Sequence, residues 1–174
     1  MADWNTAYNW MMDNEDAPRS CACAPDAPPG AFAISGVNSA AWPAEYAAIA
    51  AVPQAERAPL VQQFYENHFW NDWFAQLNSD DVGKRVFDFA VNGGSGVAVR
   101  ILQRAVNSLL APGGAPIGED GGWGPVTLGA VNAADPAALV AAFIAQRVAF
   151  YQGLAAADPN KEIYLKGWTA RAEK

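Results

Sequence analysis

A proline-rich segment that interrupts an otherwise helical pattern limits the possible folds more than any other feature. Aromatic and methionine residues at helical spacing predict a first helix over residues 3–14, capped by Asp3 and finished before Pro18. Residues 17–43 then read as a long irregular segment, in which residues 31–37 have the composition of a short strand or hairpin arm. Irregular segments of this length inside a domain are usually functional, and the apolar content of this one argues against disorder.

The rest of the chain has the apolar period of packed helices and few strand signals. Helices are predicted over residues 44–51, 59–77, 80–92, 95–110 and 161–171, with a further helix that starts at Asp135 as N-cap and Pro136 as first residue. The predicted class is therefore mostly α, a single domain with a small irregular or β element after the first helix.

Composition restricts the possible partners. The chain has 174 residues, of which 52 % are hydrophobic, and a formal net charge of -7. This is enough to bury a core in one domain, but the chain lacks the clustered Lys and Arg that phosphate binding needs. We therefore expect neither nucleic acid nor an anionic membrane surface as a partner. No uncharged apolar segment reaches the ~18 residues of a membrane span, and no signal peptide is recognisable at the N-terminus.

The two cysteines, Cys21 and Cys23, are too few for a disulfide scaffold. The only histidine, His68, is far from them in sequence, so the chain does not present the ligand set of a zinc site. We expect no metal and no cofactor. A nucleophilic pair of either cysteine with His68 stays open at this point, whereas a serine hydrolase is disfavoured because the Gly-x-Ser-x-Gly elbow is absent.

Glu15 is the carboxylate in the most suggestive setting. It closes the aromatic-rich first helix between Asp13 and Asp16 and precedes the proline-rich segment, which has room to wall a cleft. An acidic cluster is unfavourable at a helix C-terminus, which favours a functional reason for it, although a solvated acidic helix end is the simpler alternative. Glycoside cleavage needs a carboxylic acid of this kind as proton donor.

Tryptophan is abundant, with seven residues in the chain. Aromatic faces stack on sugar rings, but most of these side chains are expected to pack in the core. Trp42 and Trp123 lie in predicted loops and are therefore the better candidates for a substrate groove.

Several motifs in order give a resemblance that extends over nearly the full length. The segments that carry it are Asn14-Glu15-Asp16, Phe87-Asp88-Phe89-Ala90-Val91-Asn92-Gly93-Gly94, Asp120-Gly121-Gly122-Trp123-Gly124-Pro125-Val126-Thr127 and Gly167-Trp168-Thr169-Ala170-Arg171. With these motifs the chain resembles glycoside hydrolase family 108, which comprises phage-endolysin-like N-acetylmuramidases with a peptidoglycan-binding-type C-terminal half.

This resemblance implies a lysozyme-like domain with a catalytic-type half, residues 1–82, and a peptidoglycan-binding-type half, residues 83–174, packed on it. It implies Glu15 as the catalytic acid, and Asp26 is the nearby carboxylate best placed in sequence to position water. The loop threonine that the family has near its catalytic Glu is Ala33 here. Candidate groove residues are Ser35, Asn38, Trp42, Asn92 and Trp123, with Asp88 and Asn92 also expected to bond the following glycine turn or helix ends.

The function predicted on this basis is that of a monomeric muramidase that cuts the β-1,4 bond between N-acetylmuramic acid and N-acetylglucosamine in peptidoglycan. The alternative is a non-catalytic peptidoglycan-binding or virion structural protein that keeps the fold. Without a signal peptide, the protein would be made in the bacterial cytoplasm and delivered to the cell wall by a holin or a secretion device.

Overall fold

The computed structural model describes residues 1–174 and contains nine α-helices and one small antiparallel sheet. The prediction of a mostly α chain with a small β element after the first helix is confirmed. The chain divides into two compact units. We call Trp4–Asn71 the N-terminal unit, and Met1–Asp3 together with Asp72–Lys174 the C-terminal unit.

The N-terminal unit builds its core where three helices and the sheet turn their apolar sides inward. Its elements are α1 (Trp4–Glu15), β1 (Cys23–Asp26), β2 (Ala31–Ile34), β3 (Val37–Asn38), α2 (Pro43–Ala50) and α3 (Ala58–Phe69). The side chains that are almost completely buried in it include Met11, Met12, Ile34, Val37, Ile49, Val61 and Tyr65. Burial of apolar surface on this scale stabilises each side chain by roughly 1.5–3 kcal/mol.

The sheet has the strand order β1-β2-β3, with Cys23 opposite Ile34, Asp26 opposite Ala31 and Ile34 opposite Val37. The strand or hairpin arm predicted over residues 31–37 is therefore a hairpin. Strand β1 was not expected, because it contains Pro25. As an edge strand it accommodates a proline, since an edge residue can do without the ladder hydrogen bond that proline cannot donate.

The C-terminal unit is entirely helical. It contains α4 (Asp72–Ala75), α5 (Asp80–Gly93), α6 (Ser95–Ser108), α7 (Pro125–Ala133), α8 (Pro136–Ala157) and α9 (Glu162–Ala172). The predicted start of α8 is confirmed, because the Asp135 side chain accepts a 2.8 Å hydrogen bond from the Ala138 amide and Pro136 is the first helical residue. The start of α5 is capped in the same way by Ser79.

The single helix predicted over residues 59–77 is wrong. Helix α3 ends at Phe69, because Trp70 has extended backbone angles of φ -87° and ψ 139°. The chain then resumes with the short helix α4 at Asp72. The apolar pattern runs through this break, so the periodicity of the sequence did not reveal it.

Helix α8 is long and apolar enough, by length and composition, to cross a membrane. Its one charged residue is Arg147, which is only 2 % exposed and forms a 2.9 Å ion pair with Asp88 of α5. Leu139, Phe143 and Tyr151 are buried on the same helix. One face of α8 is therefore packed in the C-terminal unit and carries a buried ion pair, as expected for a core helix of this unit.

Candidate active site

The hairpin between β2 and β3 turns through two residues, Ser35 and Gly36. Both have positive φ angles, 47° for Ser35 and 82° for Gly36. This is the conformation of a tight two-residue turn, whose twist matches that of the flanking strands. Glycine adopts it without strain, whereas Ser35 stays in it only because the surrounding contacts hold it there.

Glu15 lies directly against this turn. A Cβ atom on Gly36 would lie 2.7 Å from Glu15 Oε2 and would also collide with the hydroxyl oxygen of Tyr65. The backbone of Gly36 therefore fills the narrow space between a carboxylate and a phenol. Glu15 is half-buried at the end of α1, and the fully buried Met11 and Met12 anchor the preceding turn of that helix.

Asp16, the next residue, connects the end of α1 to both neighbouring loops. Its Oδ2 accepts hydrogen bonds from Ser35 Oγ at 2.6 Å and from the Cys21 amide at 2.8 Å. Its Oδ1 accepts from the amide and the hydroxyl of Ser20 at 3.1 and 3.2 Å. With four donors converging on it, the Asp16 carboxylate fixes the segment after α1 and the hairpin turn in one arrangement.

These hydrogen bonds also determine the charge of Asp16. Burial raises the pKa of this carboxyl group, but the hydrogen bonds from Ser35, Cys21 and Ser20 outweigh burial and hold the pKa below its ordinary value of 3.8. Asp16 is therefore ionised and serves as an acceptor.

Tyrosine side chains close the site from the side of α3. Tyr65 is 1 % exposed and donates a 2.8 Å hydrogen bond to the carbonyl of Ser35. Its ring lies 6.3 Å from that of Tyr8 on α1. Burial, with contributions from Cys21 and Asp16, raises the pKa of Tyr8 to about 12, so Tyr8 is neutral at physiological pH.

Asp26, the predicted second carboxylate, lies at the exposed end of β1. Its Oδ2 accepts a 2.8 Å hydrogen bond from Asn38 Nδ2, while Asn38 Oδ1 accepts from the amides of Ala40 and Ala41. The strand register places Asp26 opposite Ala31, at the end of β2 remote from the Ser35-Gly36 turn. Four residue steps separate Ala31 from Ser35, so the two positions are about 13 Å apart along the sheet.

Trp42 stands immediately before α2 and packs on α3. Its ring centroid is 5.1 Å from that of Phe64 and 4.5 Å from that of His68. His68 Nε2 also lies 3.3 Å from Glu45 Oε1. The tryptophan is half-buried, so one part of it supports the packing of α2 on α3 and the other part faces solvent.

The other two candidate groove residues, Asn92 and Trp123, belong to the C-terminal unit. Asn92 Oδ1 accepts a 2.6 Å hydrogen bond from the Tyr151 hydroxyl, which in turn accepts from Arg147 Nε. The ring of Trp123 packs edge-on against Phe74 at 5.5 Å. Both contacts support helix packing in that unit.

Asp88 is structural, as expected, but its partners differ from the predicted ones. It is completely buried and forms ion pairs with Arg147 and Arg171. Three helices, α5, α8 and α9, are thereby joined around one carboxylate.

The glycine-rich loop before α7 is held by one buried glutamine. Gln103 Nε2 donates to Asp120 Oδ1, to the Gly122 carbonyl and to Thr127 Oγ1, and its Oε1 accepts from the Gly121 amide. The Asp-Gly-x-x-Gly-x-x-Thr motif of the sequence is therefore a loop clamped by α6.

The two cysteines are not bonded to each other. Both are free thiols, Cys21 buried and Cys23 exposed. Cys21 acts through its main chain, whose amide donates to Asp16 and whose carbonyl accepts from Arg57. Cys23 Sγ lies 3.1 Å from the hydroxyl of Tyr46, and no cysteine contact with His68 is found.

Sequence reasoning missed three residues that shape this site, namely Asp16, Gly36 and Tyr65. The glycine carried a signal, because Ser-Gly between two short apolar segments is typical of a two-residue hairpin turn. Asp16 belonged to the Asn14-Glu15-Asp16 motif, but nothing in the sequence indicated its bond to Ser35, and Tyr65 carried no signal, because these partners are 19 and 30 residues away in the chain.

The comparisons with known proteins extend these observations. Residues 97–173 match the model of a family described as a predicted peptidoglycan domain. The matched segment lies within the C-terminal unit and covers less than half of the chain. None of the curated proteins matches this sequence.

Among solved structures, that of SagA from Brucella abortus is similar to this chain. The alignment has a TM-score of 0.68 and 22 % sequence identity, and it covers 98 % of this chain and 89 % of the other. At this identity the similarity shows a shared fold that includes both units.

Proposed function

We propose that this chain is a peptidoglycan hydrolase that cleaves the β-1,4 bond between N-acetylmuramic acid and N-acetylglucosamine, with Glu15 as general acid. The observation that carries this proposal is the fixed position of the Glu15 carboxylate against the Gly36 turn. The peptidoglycan family match of residues 97–173 and the resemblance to family 108 support the choice of substrate.

The arrangement assigns different tasks to two adjacent carboxyl groups. Asp16 is ionised and fully engaged as an acceptor, so it holds the turn in place. Glu15 delivers its proton to the oxygen of the leaving sugar while positive charge develops on the sugar ring. The fixed backbone of Gly36 keeps the donor oriented, which removes part of the entropic cost of the reaction.

Asp26 is better suited to orient a water molecule than to attack the sugar as a nucleophile. A nucleophilic carboxylate would have to lie about 5–5.5 Å from the acid, whereas a carboxylate that activates water lies about 6.5–9.5 Å away. The position of Asp26 at the far end of β2 excludes the short separation of a nucleophile and leaves Asp26 at or beyond the upper limit of the larger one. In this proposal Asp26, held by Asn38, orients a water molecule on the opposite face of the sugar.

One observation favours a second candidate, a peptidoglycan-binding protein without turnover. Ala33 takes the place of the loop threonine of family 108, and it lies on β2 opposite Ala24 and Asn38. A methyl group there offers no hydrogen bond to substrate or water. In either case the protein would reach the cell wall by a holin or a secretion device.

Digestion of purified sacculi distinguishes the two candidates. Soluble fragments with newly formed reducing N-acetylmuramic acid ends are expected from the natural protein and not from Glu15→Gln. The matched control is Asp13→Asn, which alters an exposed carboxylate paired with Arg19 two residues before Glu15. Sacculi that bind the natural protein but release no fragments would instead support the binding protein.

A further inference from the structure

The C-terminal unit contains an open apolar cavity that has no assigned role. It has a volume of about 480 Å³ and lies between the end of α6, helix α7 and the start of α8. Its lining residues are Val106, Leu109, Leu110, Ala111, Ala130, Ala133, Ala134, Asp135 and Ala138. This size is in the range of sites for small ligands, and all of these residues lie in the segment that matches the peptidoglycan family.

The lining is made almost entirely of methyl-bearing side chains. Five of the nine residues are alanines, and Leu109 and Leu110 at the mouth are 41 % and 40 % exposed. A sugar ring in such a cavity would leave its hydroxyl groups without hydrogen-bond partners, which opposes binding. Small aliphatic groups form no hydrogen bonds that they could lose in the cavity, and the removal of their apolar surface from water favours binding.

Asp135 is the one charged residue of the lining. Its Oδ1 caps α8 by accepting from the Ala138 amide, whereas its Oδ2 has no partner within the protein. Asp135 is exposed, so this oxygen is available to a cation at the rim. The cavity is therefore suited to a ligand with small methyl groups and a primary ammonium group.

We propose that this cavity binds the stem peptide of peptidoglycan. The alanine methyl groups of the peptide would fill the apolar part, and the side-chain ammonium of its diamino acid would pair with Asp135 Oδ2. Of the two components of the polymer, only the peptide offers this combination of groups. This inference rests on peptidoglycan as the partner but not on catalysis by Glu15.

The test uses the full chain and a synthetic stem pentapeptide that contains lysine, with binding measured by calorimetry and by NMR titration. Asp135→Asn keeps the capping oxygen and removes the charge, and it should weaken binding at least about tenfold. Its control is Asp158→Asn, which alters a capping aspartate outside the cavity. Acetylation of the lysine of the peptide should have the same effect as Asp135→Asn.

A second pair of variants tests the cavity itself. Ala133→Phe fills it from an exposed lining position and should abolish binding, whereas Ala137→Phe, exposed on α8 but outside the lining, should leave binding unchanged. Peptide-free chitooligosaccharide should not shift resonances of the cavity residues.

Failure of this inference is distinguishable from failure of the proposed function. If sacculi are cleaved but the pentapeptide does not bind, or binds all four variants equally, the cavity has another role and the hydrolase proposal stands. If the pentapeptide binds as expected while sacculi are not cleaved, the cavity assignment holds and the catalytic assignment is wrong.

Discussion

The hydroxyl of Ser35 donates a 2.6 Å hydrogen bond to Asp16 Oδ2, and this contact joins the hairpin turn to the helix end that carries Glu15. The two residues are 19 positions apart in the chain, and both are buried. Because Asp16 holds the turn and the turn contacts Glu15, Asp16 helps to determine where the Glu15 carboxylate, the proposed acid, is placed.

Glu15→Gln should reduce the rate of cell-wall lysis by about 10²–10⁴-fold, because it keeps the size of the side chain and removes the acid. Asp26→Asn should reduce it less, and Asp13→Asn little. Turbidity assays on purified walls give the rates, and thermal unfolding shows whether each variant is folded. Near natural activity of a folded Glu15→Gln variant would contradict the assignment.

Gly36→Ala should lower activity more strongly than its effect on stability explains, because the new methyl group would collide with Tyr65 and displace Glu15. Gly30→Ala is a matched control. Gly30 also has a positive φ angle, 92°, but no atom lies within 4 Å of the added Cβ. Both variants share a backbone strain of about 1 kcal/mol. Equal losses of activity in the two would show that the space next to Glu15 is unimportant.

Asp16 should make the stability of the protein fall in acid. Its pKa is lowered in the folded state, so the stability it contributes is present above its unfolded value of 3.8 and is lost as the pH falls through the folded value. Asp16→Asn should flatten this part of the profile, because an amide does not titrate. It should also lower the stability near neutral pH, because the amide nitrogen cannot accept the hydrogen bonds that the carboxylate accepts. Melting temperatures between about pH 2 and pH 6 measure the effect. A profile that the substitution leaves unchanged would mean that other carboxylates dominate.

The double variant Cys21→Ser, Cys23→Ser should retain lytic activity with or without a chelator. Cys21 contributes its main-chain amide and carbonyl to the site, and Cys23 is exposed. The buried hydroxyl at position 21 should lower stability slightly. Loss of activity in a protein that unfolds near the natural temperature would show that a thiol is required.

In the C-terminal unit, Asp88→Asn should lower the free energy of unfolding by about 3–5 kcal/mol, because the buried guanidinium of Arg147 would lose its negative partner. Glu119→Gln, at an exposed pair with Arg104, should cost far less, because water and salt screen that pair. Urea unfolding of the full chain gives both values. Similar costs for the two variants would contradict the structural role of Asp88.

Local sequence signals were enough to predict a helix where its start and course depend on residues that are close together in the chain. The start of α8 at Asp135-Pro136 and the course of α5 were predicted because a cap, a first-turn proline and the apolar period act within a few residues of one another. The break at Trp70 was missed because the residues around it continue the apolar pattern, and only their packing separates α3 from α4.

By itself the sequence determined the mostly helical class, the irregular segment after the first helix and the choice of Glu15 as the candidate acid, since these follow from local composition and motif order. Only the tertiary structure decided what surrounds Glu15. The Asp16 network, the Gly36 turn and Tyr65 come together through hydrogen bonds between residues far apart in the chain. Such contacts form when helices and sheet close around a shared core, and no pattern along the chain encodes their geometry.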